Sequence, residues 1–254
     1  MTSPAPRSPA PPTRDRWPIV ELRQYTLHPG ERDVLIELFD REFVETQEAA
    51  GMRVIGQYRD EDDPDRFVWM RGFRGMAARR EALTAFYVEG AAWKEHGKAA
   101  GATMADSDDA LLLRPVSTGS GFALPAGRPG AGATALPASR LLATICSLDA
   151  PVDEGFVRFF DQRIAPVLAD TGAPSIARYE TEPGENTFPR LPLREGENIF
   201  VWFAAFNDGD RLRAHLDRLE RSRAWKQVAP DLSARLSSPL TRLRLAPTAR
   251  SLLR

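Results

Sequence analysis

Apolar and polar residues alternate with an imperfect period of two along Ile19-Val20-Glu21-Leu22-Arg23-Gln24-Tyr25-Thr26, which predicts a strand. His28-Pro29-Gly30 follows as a turn. The period then lengthens. Val34, Leu35, Leu38, Phe39 and Phe43 recur at three and four residues opposite a charged face, so residues 31–50 are expected to be helical, with Gly51 as the stop. Two further strands are expected over 52–58 and 66–73, parted by an acidic turn. Helical spacing returns over 76–87, breaks near Gly90 and resumes around Trp93. A short apolar run at 111–114 reads as a closing strand. The order β-α-β-β-α-β is that of a ferredoxin-like unit.

The same order occurs twice. Phe67-Val68-Trp69-Met70-Arg71-Gly72-Phe73, then Trp93-Lys94, returns as Phe200-Val201-Trp202-Phe203-Ala204-Ala205-Phe206, then Trp225-Lys226. The offset of roughly 130 residues means a duplicated domain, not a solenoid of short repeats. In the second copy strands are expected over 141–147, 175–181, 199–206 and 240–245, and helices over 153–170 and 210–229. Pro166 inside the first of these helices is expected to kink or split it. Residues 117–138, rich in glycine and proline, read as a flexible linker. The expected organisation is a proline-rich disordered tail (1–18), a first ferredoxin-like domain (19–116), the linker (117–138), a second such domain (139–247) and a C-terminal tail (248–254). The fold class is α+β. One sheet face of each unit lacks helices, so the two faces are expected to pack into a barrel-type pseudo-dimer.

Composition narrows the function without choosing it. A net charge of −1 leaves no footprint for nucleic acid or an anionic membrane. No apolar run approaches the roughly 20 residues of a membrane span. One cysteine, Cys146, excludes an internal disulfide framework and fits a reducing, cytoplasmic setting.

Candidate chemistry concentrates in the first copy. Glu21, Arg23 and Tyr25 share one pleat face, while residues 141–147 of the second copy carry no carboxylate, arginine or tyrosine. Val20 and Leu22, on the opposite pleat face, are assigned to the helices, which turns the polar trio toward the barrel cavity. Arg23 would anchor a small anion through its planar fork, and Tyr25 and Glu21 would handle protons. For each, the alternative is a structural ion pair or a locally satisfied hydroxyl. Trp69, Tyr87, Trp93 and Phe188 would shape an apolar wall, with Arg71 as a second cation and His96 as a further substrate-binding residue. The long loop at 182–198 would cover the mouth. His28, His96 and His215 do not stand at metal-ligand spacing, so no metal is expected. Nucleophile-elbow, P-loop and dinucleotide-binding glycine patterns do not occur.

Val20-Glu21-Leu22-Arg23-Gln24-Tyr25-Thr26-Leu27-His28-Pro29-Gly30, with Phe86-Tyr87 and Trp93, resembles the NIPSNAP family. Ala102 through Asp108, Phe188-Pro189-Arg190-Leu191-Pro192 and Leu245-Ala246-Pro247-Thr248 resemble stretches of its bacterial two-domain members. The resemblance implies ferredoxin-like units paired into a dimeric α/β barrel. The wider superfamily holds small monooxygenases, haem-handling enzymes and decarboxylase-like or cyclase-like enzymes, so fold alone does not choose a reaction. The leading expectation is a cofactor-independent enzyme acting on a small anionic or aromatic-type metabolite. The alternative is a non-catalytic small-molecule-binding or protein-interaction scaffold. A third reading is haem binding, with His96 as axial ligand. Fusion removes the need for a homodimer without forbidding one.

Overall fold

In a computed structural model describing residues 16–254, β1 (Ile19–Leu27) pairs antiparallel with β3 (Arg66–Phe73) and with β4 (Met104–Pro115), and β2 (Arg53–Asp60) pairs with β3. The second unit repeats the pattern. There β5 (Arg140–Leu148) pairs with β7 (Asn198–Phe206) and β8 (Thr241–Pro247), and β6 (Ala177–Thr181) pairs with β7. Two short seams, β2 to β8 and β4 to β6, close the eight strands into one barrel of order β1-β3-β2-β8-β5-β7-β6-β4. The paired ferredoxin-like architecture is therefore as expected.

The barrel interior is a packed apolar core shared by both units. Val20, Leu22 and Met70 from the first meet Ile145, Val201 and Phe203 from the second. This reverses the face assignment made from the sequence. Val20 and Leu22 point into the barrel, and Glu21, Arg23 and Tyr25 point toward the helices. The physical reason is that the inner wall faces the apolar inner residues of the other unit, where a charge would find no partner.

Among the described residues, six helices lie outside the barrel. In the first unit these are α1 (residues 32–49), α2 (76–89) and α3 (Ala91–Ala102); in the second, α4 (154–170), α5 (Gly209–Arg221) and α6 (Arg223–Ser233). The single helix expected over 210–229 is thus two, because Ser222 interrupts it and caps α6 by accepting from Trp225 N at 3.2 Å. β4 begins seven residues earlier than the expected 111, at Met104, since its acidic stretch pairs irregularly with Gln24 and Thr26. That stretch has no apolar alternation from which to read a strand.

α1 and α4 each contain a π-helical turn, Phe39–Phe43 and Phe160–Ile164. Pro166 follows the second, where the widened turn accommodates a residue without an N–H, so the helix continues to Asp170 without a break. α1 makes the same turn without a proline, so proline is not its general cause. A third π turn, Ala85–Glu89, occurs in α2 and not in its counterpart α5. It ends at Gly90, where a Cβ would lie 2.4 Å from the Phe86 carbonyl oxygen.

The segment between β4 and β5 has no regular element but is anchored at two points. Phe122 is buried at one end of the barrel, 4.8 Å from the Phe203 ring, and its N–H donates to Tyr179 Oη at 2.9 Å. Arg128 binds the Glu48 carboxylate and donates to the Val54 carbonyl at 2.6 Å. Residues 248–254, expected as a tail, are also packed. Arg250 is buried and paired with Glu45, and Tyr58 Oη donates to the Leu253 carbonyl at 2.9 Å. The expected N-terminal tail lies outside the described residues except for its last three. Of these, Trp17 lies against Gly72, with the Arg74 guanidinium 5.3 Å from its ring. No helix among the described residues is long and apolar enough to cross a membrane.

Candidate functional site

The helix-facing side of the first sheet carries two polar rows. Glu21 stands directly opposite Arg71, and Arg23 opposite Trp69. Tyr25 opposite Phe67 completes the face. Helix α2 adds Arg79 and, from its π turn, Tyr87; α1 adds Gln47. Glu21, Arg23, Arg71, Arg79 and Gln47 are all at most 1 % exposed.

Glu21 is the hub. Its Oε2 accepts from Arg71 Nε at 2.8 Å and from Arg23 Nη1 at 3.3 Å, and its Oε1 accepts from Arg79 Nε at 2.7 Å. Burial alone would raise the carboxyl pKa. The guanidiniums of Arg71, Arg23 and Arg79 outweigh it and hold the group at about 2. Glu21 is therefore held as an anion at neutral pH and lacks the raised pKa on which the general-base expectation depended.

The remaining donors radiate from this hub. Arg23 Nε donates to Tyr25 Oη at 3.1 Å and Nη2 to the Ser107 carbonyl at 3.2 Å. Arg71 Nη1 donates to Tyr87 Oη at 3.0 Å and to Gln47 Oε1 at 3.1 Å, and its guanidinium lies 4.9 Å from the Trp69 ring centroid. Both phenol oxygens accept from a guanidinium, which leaves each hydroxyl proton free to be donated elsewhere. Burial pushes the Tyr87 hydroxyl pKa up, so it remains a neutral donor.

Tyr87, Trp93 and Phe188 close the cluster on its helix side. The Tyr87 ring is 4.6 Å from that of Trp93 and 6.0 Å from that of Phe188. Phe188 belongs to the second unit, on the loop of residues 182–198. Two neighbours on that loop reach the cluster directly, since Asn186 Oδ1 and Thr187 Oγ1 accept from Arg79 Nη1 at 3.1 and 3.0 Å. The loop therefore lies over a cluster formed by the other unit.

The sequence-predicted residues Glu21, Arg23, Tyr25, Trp69, Arg71, Tyr87, Trp93 and Phe188 are brought together, in a cluster between sheet and helices and not in the barrel. His96 stands apart. It is half-buried on α3 with Nε2 3.5 Å from Glu42 Oε2 and 3.8 Å from Glu95 Oε1. With carboxylates facing this nitrogen and apolar side chains filling the barrel, the residues present do not fit a haem. Sequence reasoning missed Arg79, Gln47, Asn186 and Thr187.

The second unit serves as an internal control. The strand pairs Arg23–Trp69 and Thr144–Trp202 are equivalent, and from this register Glu21 corresponds to Leu142 and Arg71 to Ala204. Counted from Phe73 and Phe206, Arg79 corresponds to Leu212; counted from the π turns, Gln47 corresponds to Leu168. Leu142, Ala204, Leu212 and Leu168 are buried and apolar. The fold accepts an apolar set at these places, so the charged set of the first unit is not a requirement of the architecture.

The NIPSNAP family profile matches residues 20–118. The chain carries a NIPSNAP domain. The match spans the whole first unit, from β1 through β4, and so includes the charged chamber. No curated protein matches the sequence. Solved structures share the two-unit fold of this chain at low identity. An anthrone oxidase-like protein is 11 % identical, with a TM-score of 0.58 over 92 % of this chain and 93 % of its own. A candidate monooxygenase from Lactobacillus acidophilus NCFM is 10 % identical, with a TM-score of 0.55 over 92 % and 97 %. A dye-decolorizing peroxidase from Bacteroides thetaiotaomicron VPI-5482 is 9 % identical, with a TM-score of 0.52 over 93 % and 96 %.

The depressed Glu21 pKa has a pH consequence. A carboxyl held at about 2 against an ordinary 4.5 contributes stability that is full above pH 4.5 and is lost as pH falls through 2. The contribution is about 3 kcal/mol at neutral pH. In denaturant titrations the stability gap between the parent and Glu21→Gln should be constant from pH 8 to 5 and shrink steadily below that.

Proposed function

We propose that the chamber of the first unit binds a small organic anion and stabilises it as the reacting species of a cofactor-independent enzyme. One observation carries this reading. Three buried guanidiniums surround a single carboxylate, at positions where the second unit carries no charge. Buried charge in excess of its partners is costly unless something of opposite sign occupies the site.

Tyr25 and Tyr87, each polarised by an arginine, are placed to donate to a phenolate or enolate oxygen, while Trp69, Trp93 and Phe188 would pack against an apolar ring. Charge developing on that oxygen would then meet donors already oriented toward it. Glu21, locked by three arginines, only positions them. The π turn of α2, which its counterpart α5 lacks, supports the assignment, because it presents Tyr87 to Arg71 and such turns are frequent at functional sites. Access would come through the loop of residues 182–198. Beneath it a cleft of about 340 Å³ runs from Leu112 past Arg194 to Asn186, the residue that binds Arg79. Its rim carries Glu182, Glu185, Glu195 and Glu197, so the attraction for an anion lies inside the chamber and not at the mouth.

Tryptophan fluorescence provides the test, since Trp69 and Trp93 line the chamber. Benzoate should give a saturable change and neutral benzamide a much weaker one, and Arg71→Ala should abolish the response to benzoate. An equal response to both probes would defeat the proposal. Oxygen uptake with anthrone, chosen from the name of one fold neighbour, separates turnover from binding. A non-catalytic binder would respond to benzoate and consume no oxygen.

A further inference from the structure

The charge balance of the chamber specifies more than the sign of its ligand. Among the described residues, Arg23, Arg71 and Arg79 make ion pairs with Glu21 alone. The other groups facing them are neutral: Tyr25 and Tyr87, Gln47 from α1, the Ser107 carbonyl from β4, and Asn186 and Thr187 from the loop. Three positive charges against one negative leave two without a counter-charge, all on side chains at most 1 % exposed.

The unsatisfied hydrogen-bonding groups agree with the charge count. Trp69 Nε1, Arg71 Nη2 and Arg79 Nη2 are buried without a hydrogen-bond acceptor, and every one of them is a donor. Arg71 Nη2 lies 2.7 Å from Glu21 Oε2, outside hydrogen-bonding geometry. These donors fall into two groups. Arg71 and Arg79 gather at the Glu21 row, and Trp69 lies at the Arg23 row. The backbones of the two rows are two residues apart along the strand, about 7 Å, and the guanidiniums reach from both rows to the Glu21 carboxylate. Tyr25 and Tyr87 add free hydroxyl protons, and the wall on the helix side is aromatic.

Resting on the anion-binding reading, we propose that the ligand of the chamber is an aromatic dianion. One anionic group engages Arg71 and Arg79, and the other engages Arg23 with Trp69 Nε1. A monoanion leaves one charge and at least one donor uncompensated. A dianion neutralises the cluster and supplies acceptors at both ends. The carboxylate–phenolate pair of an ionised hydroxyaromatic acid, or two carboxylates across one ring, has this character.

The test compares terephthalate with benzoate by isothermal titration calorimetry at pH 7.5 and constant ionic strength. Terephthalate should bind about tenfold tighter or more, since one additional charge-assisted contact at a buried site is worth at least that. Arg79→Leu, which installs the residue of the second unit, should bring terephthalate down to the affinity of benzoate while benzoate binding persists. Arg79→Lys should keep part of the preference. If benzoate binds the parent as tightly as terephthalate, the dianion assignment fails and the anion chamber stands. If neither binds, the anion-chamber reading fails with it. The parent comparison decides the point even if Arg79→Leu does not fold.

Discussion

Glu21→Gln is expected to lower the stability of the folded protein by about 3–5 kcal/mol at pH 7, the usual consequence of removing one partner from a buried ion pair. The substitution keeps the shape of the side chain but leaves three guanidiniums, all at most 1 % exposed, without a carboxylate. Guanidinium chloride denaturation, read as a shift in midpoint at unchanged slope, measures it. A second variant shows whether the cluster serves the fold. Combining Glu21→Leu, Arg23→Thr, Arg71→Ala, Arg79→Leu and Gln47→Leu writes the second unit's residues into the first. It should be clearly more stable than Glu21→Gln, because buried ion pairs replaced by apolar groups are often neutral or stabilising. It should also lose all response to benzoate. A fivefold variant as unstable as Glu21→Gln would mean that the charged set is structural after all.

Phe203→Ala should remove about 3–5 kcal/mol, as large-to-small changes at well-packed aromatic positions do. Phe203 is fully buried inside the barrel, within ring contact of Phe122 and Tyr179. The informative part is where the damage appears. Since the interior draws on both units, loss of packing in the second should unfold the first at the same denaturant concentration. Hydrogen exchange of β1 amides reports this directly. Protection of β1 that outlasts that of β7 would show that the two units unfold separately.

Much of the fold can be read from the sequence, because β3 and β7 carry nearly the same apolar run 133 positions apart and each is followed by a tryptophan helix. Period-two alternation tells which residues share a pleat face. It does not tell which face turns inward. For Glu21, Arg23 and Tyr25 that choice depends on partners from other elements, namely Arg71, Arg79 and Gln47, which lie 50, 58 and 26 positions from Glu21. Arg79 escapes notice for a related reason. It occupies an apolar-stripe position of α2, between Met76 and Leu83, where an arginine reads as a surface residue. Aligning the two units exposes it, since Leu212 stands in its place. The contact of Asn186 and Thr187 with Arg79 is not visible in either unit alone, because it crosses from one unit to the other.

Barrel closure by β8 bears on how the chain is made. β8 supplies the seam with β2 and the outer partner of β5, and it is the last strand to be synthesised. A ribosome adding about 5–20 residues per second needs on the order of ten seconds between completing β4 and completing β8. Throughout that interval the inner face of the first unit, with Val20, Leu22 and Met70, has nothing to cover it. The ion pairs of Glu21 with Arg23, Arg71 and Arg79, by contrast, come from the first unit's own sheet and helices, and the loop of residues 182–198 joins them later. The nascent protein would therefore acquire its buried ion pairs early while the inner apolar face of its first sheet still waits for a partner.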